Sequence, residues 1–305
     1  MKYFSMKKIL GAVVALALIL GAGFLLRPIG FLRQITYMRE TLTGVESRSV
    51  QVGGYRMHYL AEGPANGPVV VLVHGLGANA EDWDNLAPYL VKAGFRVYIP
   101  DLIGYGRSDK PTTGFPYSVR SEAAAVVGFM DAVGLKQVTL GGWSMGGWIA
   151  TFIAVEHPER VGRLMLFDAA GLYIKPTWNT ELFVPQTPGQ IEELQALLMP
   201  EPKPLPGFIA RDYLRLMRSN GWVIHRAMDT MRYGQDTTDN MLARLKMPVL
   251  IEWGAADRIF PLDQAQTMHR LIPQSQLDIY EGCGHRAPAQ CAEQMAPKVV
   301  AFARP

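Results

Sequence analysis

Three residues stand in an order suited to nucleophilic acyl transfer: Ser144, then Asp257, then His285. A serine hydroxyl attacks a carbonyl only when a base takes its proton, and an imidazole does this best when a carboxylate fixes its tautomer. Ser144 lies in Gly142-Trp143-Ser144-Met145-Gly146, with an apolar β-type run before it and a helix-forming run, Ile149 to Val155, after it. In that context Gly-x-Ser-x-Gly marks a tight strand-to-helix turn that lifts the hydroxyl clear of a sheet. Side chains at Gly142 and Gly146 are expected to collide with neighbouring backbone. His285 follows Gly284 on a loop beyond a predicted strand, which makes it the expected base. Asp257 is the expected acid; Asp168, at the end of an earlier strand, is its rival. The backbone N–H groups of Leu76 and Met145 are the candidate donors to a tetrahedral oxyanion. His74 is expected to brace the loop after it, and the remaining histidines read as packing or surface residues.

These side chains need strands to carry them to one edge. Ser49 to Val52 and Tyr55 to Ala61 read as a hairpin around Gly53-Gly54. Val69 to Val73 is a continuous apolar run, as in a strand buried on both faces. Strands are also predicted at Arg96 to Leu102, Val138 to Trp143, Arg163 to Asp168, Pro248 to Gly254 and Gln276 to Tyr280. Helices fall between them at Tyr117 to Val133 and Asp263 to Leu271, and Ala289 to Phe302 closes the chain. This alternation predicts an α/β fold with a mostly parallel sheet covered on both faces, whose ligands bind at the carboxyl ends of the strands.

The rhythm stops between residues 172 and 247. Prolines interrupt this segment, and helices are predicted at Pro188 to Leu198, Phe208 to Ser219 and Trp222 to Tyr233. We read it as a helical cap inserted between core segments 44–171 and 248–305. Trp143 beside the nucleophile, with Phe183, Leu198, Phe208 and Met217 of the cap, are the candidate substrate-binding residues. At the N-terminus, residues 1–43 form a separate unit. Lys2, Lys7 and Lys8 precede Ile9 to Leu26, about 18 residues without a charge, near the lower limit for a membrane span. An uncleaved single-pass anchor is expected, with a cleaved export signal as the alternative, and the catalytic part outside, on the periplasmic side of the inner membrane if the source is bacterial. Arg27 to Arg39 suits either a helix lying on the membrane surface or one packed on the domain.

Composition narrows the classes further. The 305 residues are 49% hydrophobic with a net charge of +3, and the basic residues form no stripe, which argues against nucleic acid. Two cysteines, Cys283 and Cys291, are too few for a disulfide framework or a four-ligand zinc site. One disulfide between them is conceivable in an oxidising compartment, but free thiols are the default expectation. No P-loop or dinucleotide fingerprint is present, and neither a cofactor nor a metal is expected.

From about Gly44 onward the chain resembles the α/β-hydrolase superfamily. The resemblance rests on His74-Gly75, Asp101-x-x-Gly104-x-Gly106-x-Ser108, Gly142-Trp143-Ser144-Met145-Gly146-Gly147, Asp257 and Gly284-His285. Within it, the layout is similar to membrane-anchored monoacylglycerol lipases of the α/β-hydrolase-domain-6 type and related bacterial lipases. Leu26-Arg27-Pro28, Ala169-Ala170-Gly171-Leu172 and Cys283-Gly284-His285 carry that closer similarity. It departs at Gln290-Cys291-Ala292, where relatives often place an acidic residue and a proline. The resemblance implies a monomeric serine hydrolase of lipid esters such as monoacylglycerols. Carbon–carbon bond hydrolases of the meta-cleavage-product type and small-ester esterases remain alternatives. A non-enzymatic binding protein does not need all three of Ser144, Asp257 and His285.

Overall fold

The computed structural model describes residues 6–231 and 236–304. Lys2 and Tyr233, which figure in the expected anchor and cap, lie outside them. The chain runs α1 (Met6–Leu26), α2 (Pro28–Thr43), β1 (Glu46–Val52), β2 (Tyr55–Glu62), β3 (Val69–Val73), α3 (Ala87–Lys92), β4 (Arg96–Pro100), α4 (Val119–Ala132), β5 (Val138–Trp143) and α5 (Met145–Glu156). It continues with β6 (Val161–Phe167), α6 (Pro188–Leu198), α7 (Gly207–Met231), β7 (Val249–Gly254), α8 (Leu262–Leu271), β8 (Ser275–Tyr280), α9 (Ala287–Gln290) and α10 (Ala292–Ala303).

The strands form one eight-stranded sheet in the order β1-β2-β4-β3-β5-β6-β7-β8. β2 pairs antiparallel with β1 and β4, and every other pairing is parallel. Strand β3 shows why both faces must be covered, because successive side chains alternate between them. Val70 and Leu72 join a core with Trp83, Met165 and Phe302 on one side. Val71 and Val73 join the other core with Leu140, Ile149 and Ile153. Each such side chain contributes roughly 1.5–3 kcal/mol by leaving water. The β1–β2 hairpin closes through Gly53 and Gly54, both at positive φ, 56° and 88°, as a two-residue turn of this hand requires.

Between β6 and β7 the chain leaves the sheet, and among its described residues this segment carries α6 and α7 but no strand. The expected break at Asn220-Gly221 does not occur. Helix α7 runs unbroken for 25 residues, because Gly221 is where the helix packs directly on Val184, with no room for a Cβ. The expected closing helix is instead divided: α9 ends before Cys291 and α10 begins after it. Cys283 and Cys291 are not free thiols but a disulfide, both buried, with their Cα atoms 6.2 Å apart.

The N-terminal region also differs from the expected single span. Pro28 occupies the first turn of α2, where its missing N–H costs no helical bond, and it ends α1. Among the described residues no single helix is long and apolar enough to cross a membrane. Leu10–Leu26 and Pro28–Thr43 meet that test only as a pair bent by 115°. Helix α2 is held by both parts of the molecule. The Ile29 N–H donates to Asp212 of α7 at 3.0 Å. Buried Glu40 takes two 3.0 Å hydrogen bonds from Arg107, which lies over the Tyr37 ring and also reaches Glu81 at 2.6 Å.

Candidate active site

Ser144 sits between β5 and α5 with φ 55° and ψ −121°, a backbone region non-glycine residues avoid unless held there. The hold is visible. Its N–H donates to the Phe167 carbonyl at 3.0 Å, and its carbonyl accepts from Gly147 and Ala170. A Cβ on Gly142 would fall on the Gly146 carbonyl, and one on Gly146 would fall on that of Val73. The two glycines therefore let strand and helix approach closely enough to make the turn.

Sheet order places the ends of β5, β6 and β7 side by side, and the loops beyond them converge. His285 Nε2 lies 2.9 Å from Ser144 Oγ, and His285 Nδ1 lies 2.8 Å from Asp257 Oδ2. A carboxylate only accepts, so Nδ1 carries the proton and Nε2 is free to accept from the hydroxyl. Asp257 Oδ1 takes N–H bonds from Ile259 and Phe260 at 2.7 and 2.9 Å, which fixes the carboxylate plane. The Phe260 ring stands edge-on to the imidazole, 5.3 Å between centroids. Trp143 donates its indole N–H to the His285 carbonyl at 2.6 Å, so it positions the base loop as well as lining a cavity.

Asp168 does not touch His285. Its Oδ1 accepts from the Gly254 N–H at 2.8 Å and its Oδ2 from the Ala287 N–H at 3.1 Å, tying β7 to the loop after the histidine. Burial, and then the charge of Asp257, push its carboxyl well above the usual range.

Leu76 and Met145 flank Ser144. Met145 is the first residue of α5, so its N–H has no carbonyl to meet within the helix. The Leu76 N–H has no acceptor among the described residues. A Cβ at Gly75 would lie 3.1 Å from the Ser144 Cβ, so this loop rests directly against the serine. His74 secures it: Nδ1 donates to the Gly75 carbonyl at 2.8 Å and Nε2 accepts from the Leu102 N–H at 3.0 Å. Burial lowers its pKa and keeps the ring neutral, as this pattern requires. Asp101 is a hub, accepting from the Ala80 and Arg107 N–H groups and pairing with His58 at 2.7 Å. Burial pushes its carboxyl up, but the hydrogen bonds from His58 and the Arg107 N–H oppose this, and it falls to about 2.

Two cavities open from Ser144. The larger, about 330 Å³, is bordered by Leu198, Met217 and Trp143, by the polar Asn79 and Lys110, and by Arg33 of α2. The smaller, about 250 Å³, is bordered by Met145, Trp148, Leu172, Trp178, Met228 and Phe260. Phe183 and Leu76 border both. Phe208 belongs to neither. Its ring meets Phe24 of α1 edge-on, 5.6 Å between centroids, and it borders a cavity with Leu25 and Leu26, so its expected substrate contact is replaced by a helix–helix contact. Helix α7 carries apolar residues on more than one side, and periodicity does not say which side meets the site.

Residues 68–194 match the family model described as alpha/beta hydrolase fold. A 2-hydroxy-6-oxononadienedioate/2-hydroxy-6-oxononatrienedioate hydrolase of Paraburkholderia phymatum is 30% identical over 87% of this chain and 99% of its own length. The chain belongs to the α/β-hydrolase family. Lipase 3 of Moraxella sp. (strain TA144) is 26% identical to this hydrolase over 88% of both chains. Among solved structures, a membrane phospholipase A described as a bacterial virulence factor superposes with a TM-score of 0.82 at 29% identity. That likeness covers 97% of this hydrolase and 98% of the other chain.

Proposed function

We propose that this hydrolase cleaves carboxylic esters of lipids, monoacylglycerols or similar single-chain acyl esters, through Ser144, His285 and Asp257. The observation that carries this reading is the Ser144–His285–Asp257 line opening beside a cavity walled by methionine, leucine and aromatic side chains. His285 takes the hydroxyl proton as Ser144 attacks the ester carbonyl, and the Leu76 and Met145 N–H groups receive the oxyanion. The protonated imidazole, held by Asp257, then gives its proton to the leaving alcohol. Water attacks the acyl-enzyme by the same route and releases the fatty acid. The apolar cavity suits the acyl chain, and the larger, more polar one suits the alcohol. Residues 172–247 serve as the cap that closes over both, and one chain supplies every group the reaction needs.

The N-terminal helix pair supplies the membrane attachment in this reading. Leu10, Val13, Leu18, Leu25 and Leu26 of α1 are exposed, as are Leu32, Ile35, Met38 and Leu42 of α2. At roughly 100° per residue the four in α2 fall within a stripe about 120° wide. Ile29, Arg33, Tyr37 and Glu40 lie on the opposite side, and Ile29 and Arg33 border the larger cavity. Helix α2 thus stands between the larger cavity and the face suited to lipid. The likeness to a membrane phospholipase A supports membrane association, and the disulfide suits an oxidising compartment outside the cytoplasm.

A second reading is hydrolysis of a carbon–carbon bond in a meta-cleavage dicarboxylate; the Paraburkholderia relative is named as a hydrolase of 2-hydroxy-6-oxo dicarboxylates. Arg33 and Lys110 at the larger cavity favour it. The deciding assay compares p-nitrophenyl esters and monoacylglycerols of rising chain length with a meta-cleavage dicarboxylate, using Ser144→Ala as control. We expect medium or long acyl esters to be preferred and kcat to fall on the order of 10⁶-fold in Ser144→Ala. Preference for acetyl esters or the dicarboxylate overturns the lipid assignment, and activity surviving in Ser144→Ala overturns the mechanism.

A further inference from the structure

The disulfide brackets His285, the candidate base. Cys283 and Cys291 are the only cysteines in the chain, and they close an eight-residue separation that contains His285. Within this stretch His285 and Arg286 precede α9 and lie outside any helix or strand. Gly282, at φ 74°, and Gly284 stand on either side of Cys283, so the unlinked chain samples many conformations there.

Each end of the bridge is fixed to a different part of the site. On one side, the Cys283 carbonyl accepts from the Ala256 N–H at 2.9 Å, one residue before Asp257. On the other, the Cys291 carbonyl accepts from Gln294 and Met295 at 3.0 Å in the first turn of α10. Gln290 closes the loop from within by accepting the Gly284 N–H at 3.0 Å. The covalent bond therefore sets the separation between the acid's loop and the start of α10, with the base suspended between them. Both cysteines are buried beneath the loop, in the core shared by Met295 and Val299.

We propose that Cys283 and Cys291 are positioning residues for His285, and that closing their disulfide brings the hydrolase to full turnover. This rests on the Ser144–His285–Asp257 reading above. In forming the bond the two thiols lose two protons and two electrons to a donor disulfide, which leaves as a dithiol. A cross-link of this kind removes conformations from the unlinked chain. Here the conformations removed are those in which the imidazole drifts from Ser144 Oγ, and displacements of about 1 Å at a reacting group cost on the order of 10²-fold in rate. The effect falls on kcat, because neither cysteine borders the two cavities.

The test uses the full chain purified in detergent from an oxidising compartment. Thiols are counted in denaturant, and active sites are counted by stoichiometric fluorophosphonate labelling, so that unfolded molecules drop out of the rate. We expect no free thiols as isolated and two after a phosphine reductant. Reduction lowers kcat per labelled site at least fivefold with KM for p-nitrophenyl butyrate within twofold, and oxidised glutathione restores it. Cys283→Ala/Cys291→Ala shows the lowered kcat and no response to either reagent. Two free thiols in the isolated protein, an unchanged kcat per site after reduction, or a change confined to KM each overturn the proposal. If the double variant does not fold, the reduced wild-type enzyme decides; if the buried bond resists the reductant, the variant decides. Activity in Ser144→Ala overturns the triad instead, so the two failures are told apart.

Discussion

At the scale of single residues, two aspartates a few ångströms from the same loop do different work. Asp257 meets the imidazole, whereas Asp168 meets only backbone N–H groups. Asp257→Asn leaves the packing intact but favours the wrong tautomer of His285, and kcat should fall on the order of 10⁴-fold. Asp168→Asn keeps one accepting oxygen and turns an amide N–H₂ toward the other donor. It should lower stability by about 1–3 kcal/mol while kcat stays within roughly tenfold; a larger fall in kcat for this variant reverses the assignment. Glu252, buried in β7, makes a prediction of another kind. Burial pushes its carboxyl up to about 8, with Tyr280 pulling it back and the Asp278 charge adding to the rise. The folded protein then keeps this proton between about pH 4.5 and 8 while the unfolded chain has released it, so Glu252 lowers stability progressively across that window. Glu252→Gln should therefore raise the unfolding midpoint at pH 8 relative to wild type and change it little at pH 4.5, as measured by thermal scans at both values. The order Ser144, Asp257, His285 is readable from the chain because each follows a strand-like run, but the work of Asp168 is not. Which aspartate faces the imidazole depends on how two loops lie across β7, and spacing carries no trace of that.

At the scale of elements, the turn at Ser144 is the most legible feature because its determinants are local. Apolar β-branched and small residues enter it, helix formers leave it, and two glycines mark where backbone must touch backbone. Gly146→Ala places a methyl on the Val73 and His74 carbonyls, which cannot swing aside as a side chain can. We expect a loss of roughly 3 kcal/mol or more, seen as a lowered denaturation midpoint in urea and a smaller yield of folded enzyme. A Gly146→Ala protein with wild-type stability and kcat would show that the turn is looser than its contacts indicate. The cap was less readable for the opposite reason. Asn220-Gly221 has the composition of a helix break, yet α7 continues through it because Gly221 supplies the flat surface that Val184 needs. Phe208 has the character of a substrate contact and is used against Phe24 instead. Cys283 and Cys291 could be paired only once the fold had brought their Cα atoms within bonding range.

At the scale of the whole molecule, the question is how an apolar substrate reaches a buried serine. The sheet, its helices and the cap enclose Ser144 on most sides, and the wall of the larger cavity is completed by Ile29 and Arg33 of α2. That helix is not a loose tether. Glu40, Arg107 and Glu81 bind it to the core and Asp212 binds it to α7, so whatever surface α2 rests on fixes the orientation of the cavity mouth. Its outward stripe of Leu32, Ile35, Met38 and Leu42 is apolar, which suits the boundary between headgroups and acyl chains. Replacing Leu32 and Ile35 together by aspartate should therefore weaken the attachment without reaching the chemistry. In flotation with phosphatidylglycerol–phosphatidylcholine vesicles we expect less of the Leu32→Asp/Ile35→Asp protein to rise with the lipid than of the wild type. On monoolein carried in those vesicles kcat/KM should fall at least fivefold, because the mouth is no longer held at the bilayer. On soluble p-nitrophenyl butyrate kcat/KM should stay within twofold, because Ser144, His285 and Asp257 are untouched. An equal loss on both substrates means that α2 supports the fold rather than delivery. An unchanged rate on vesicle-borne substrate means that the lipid enters by another face.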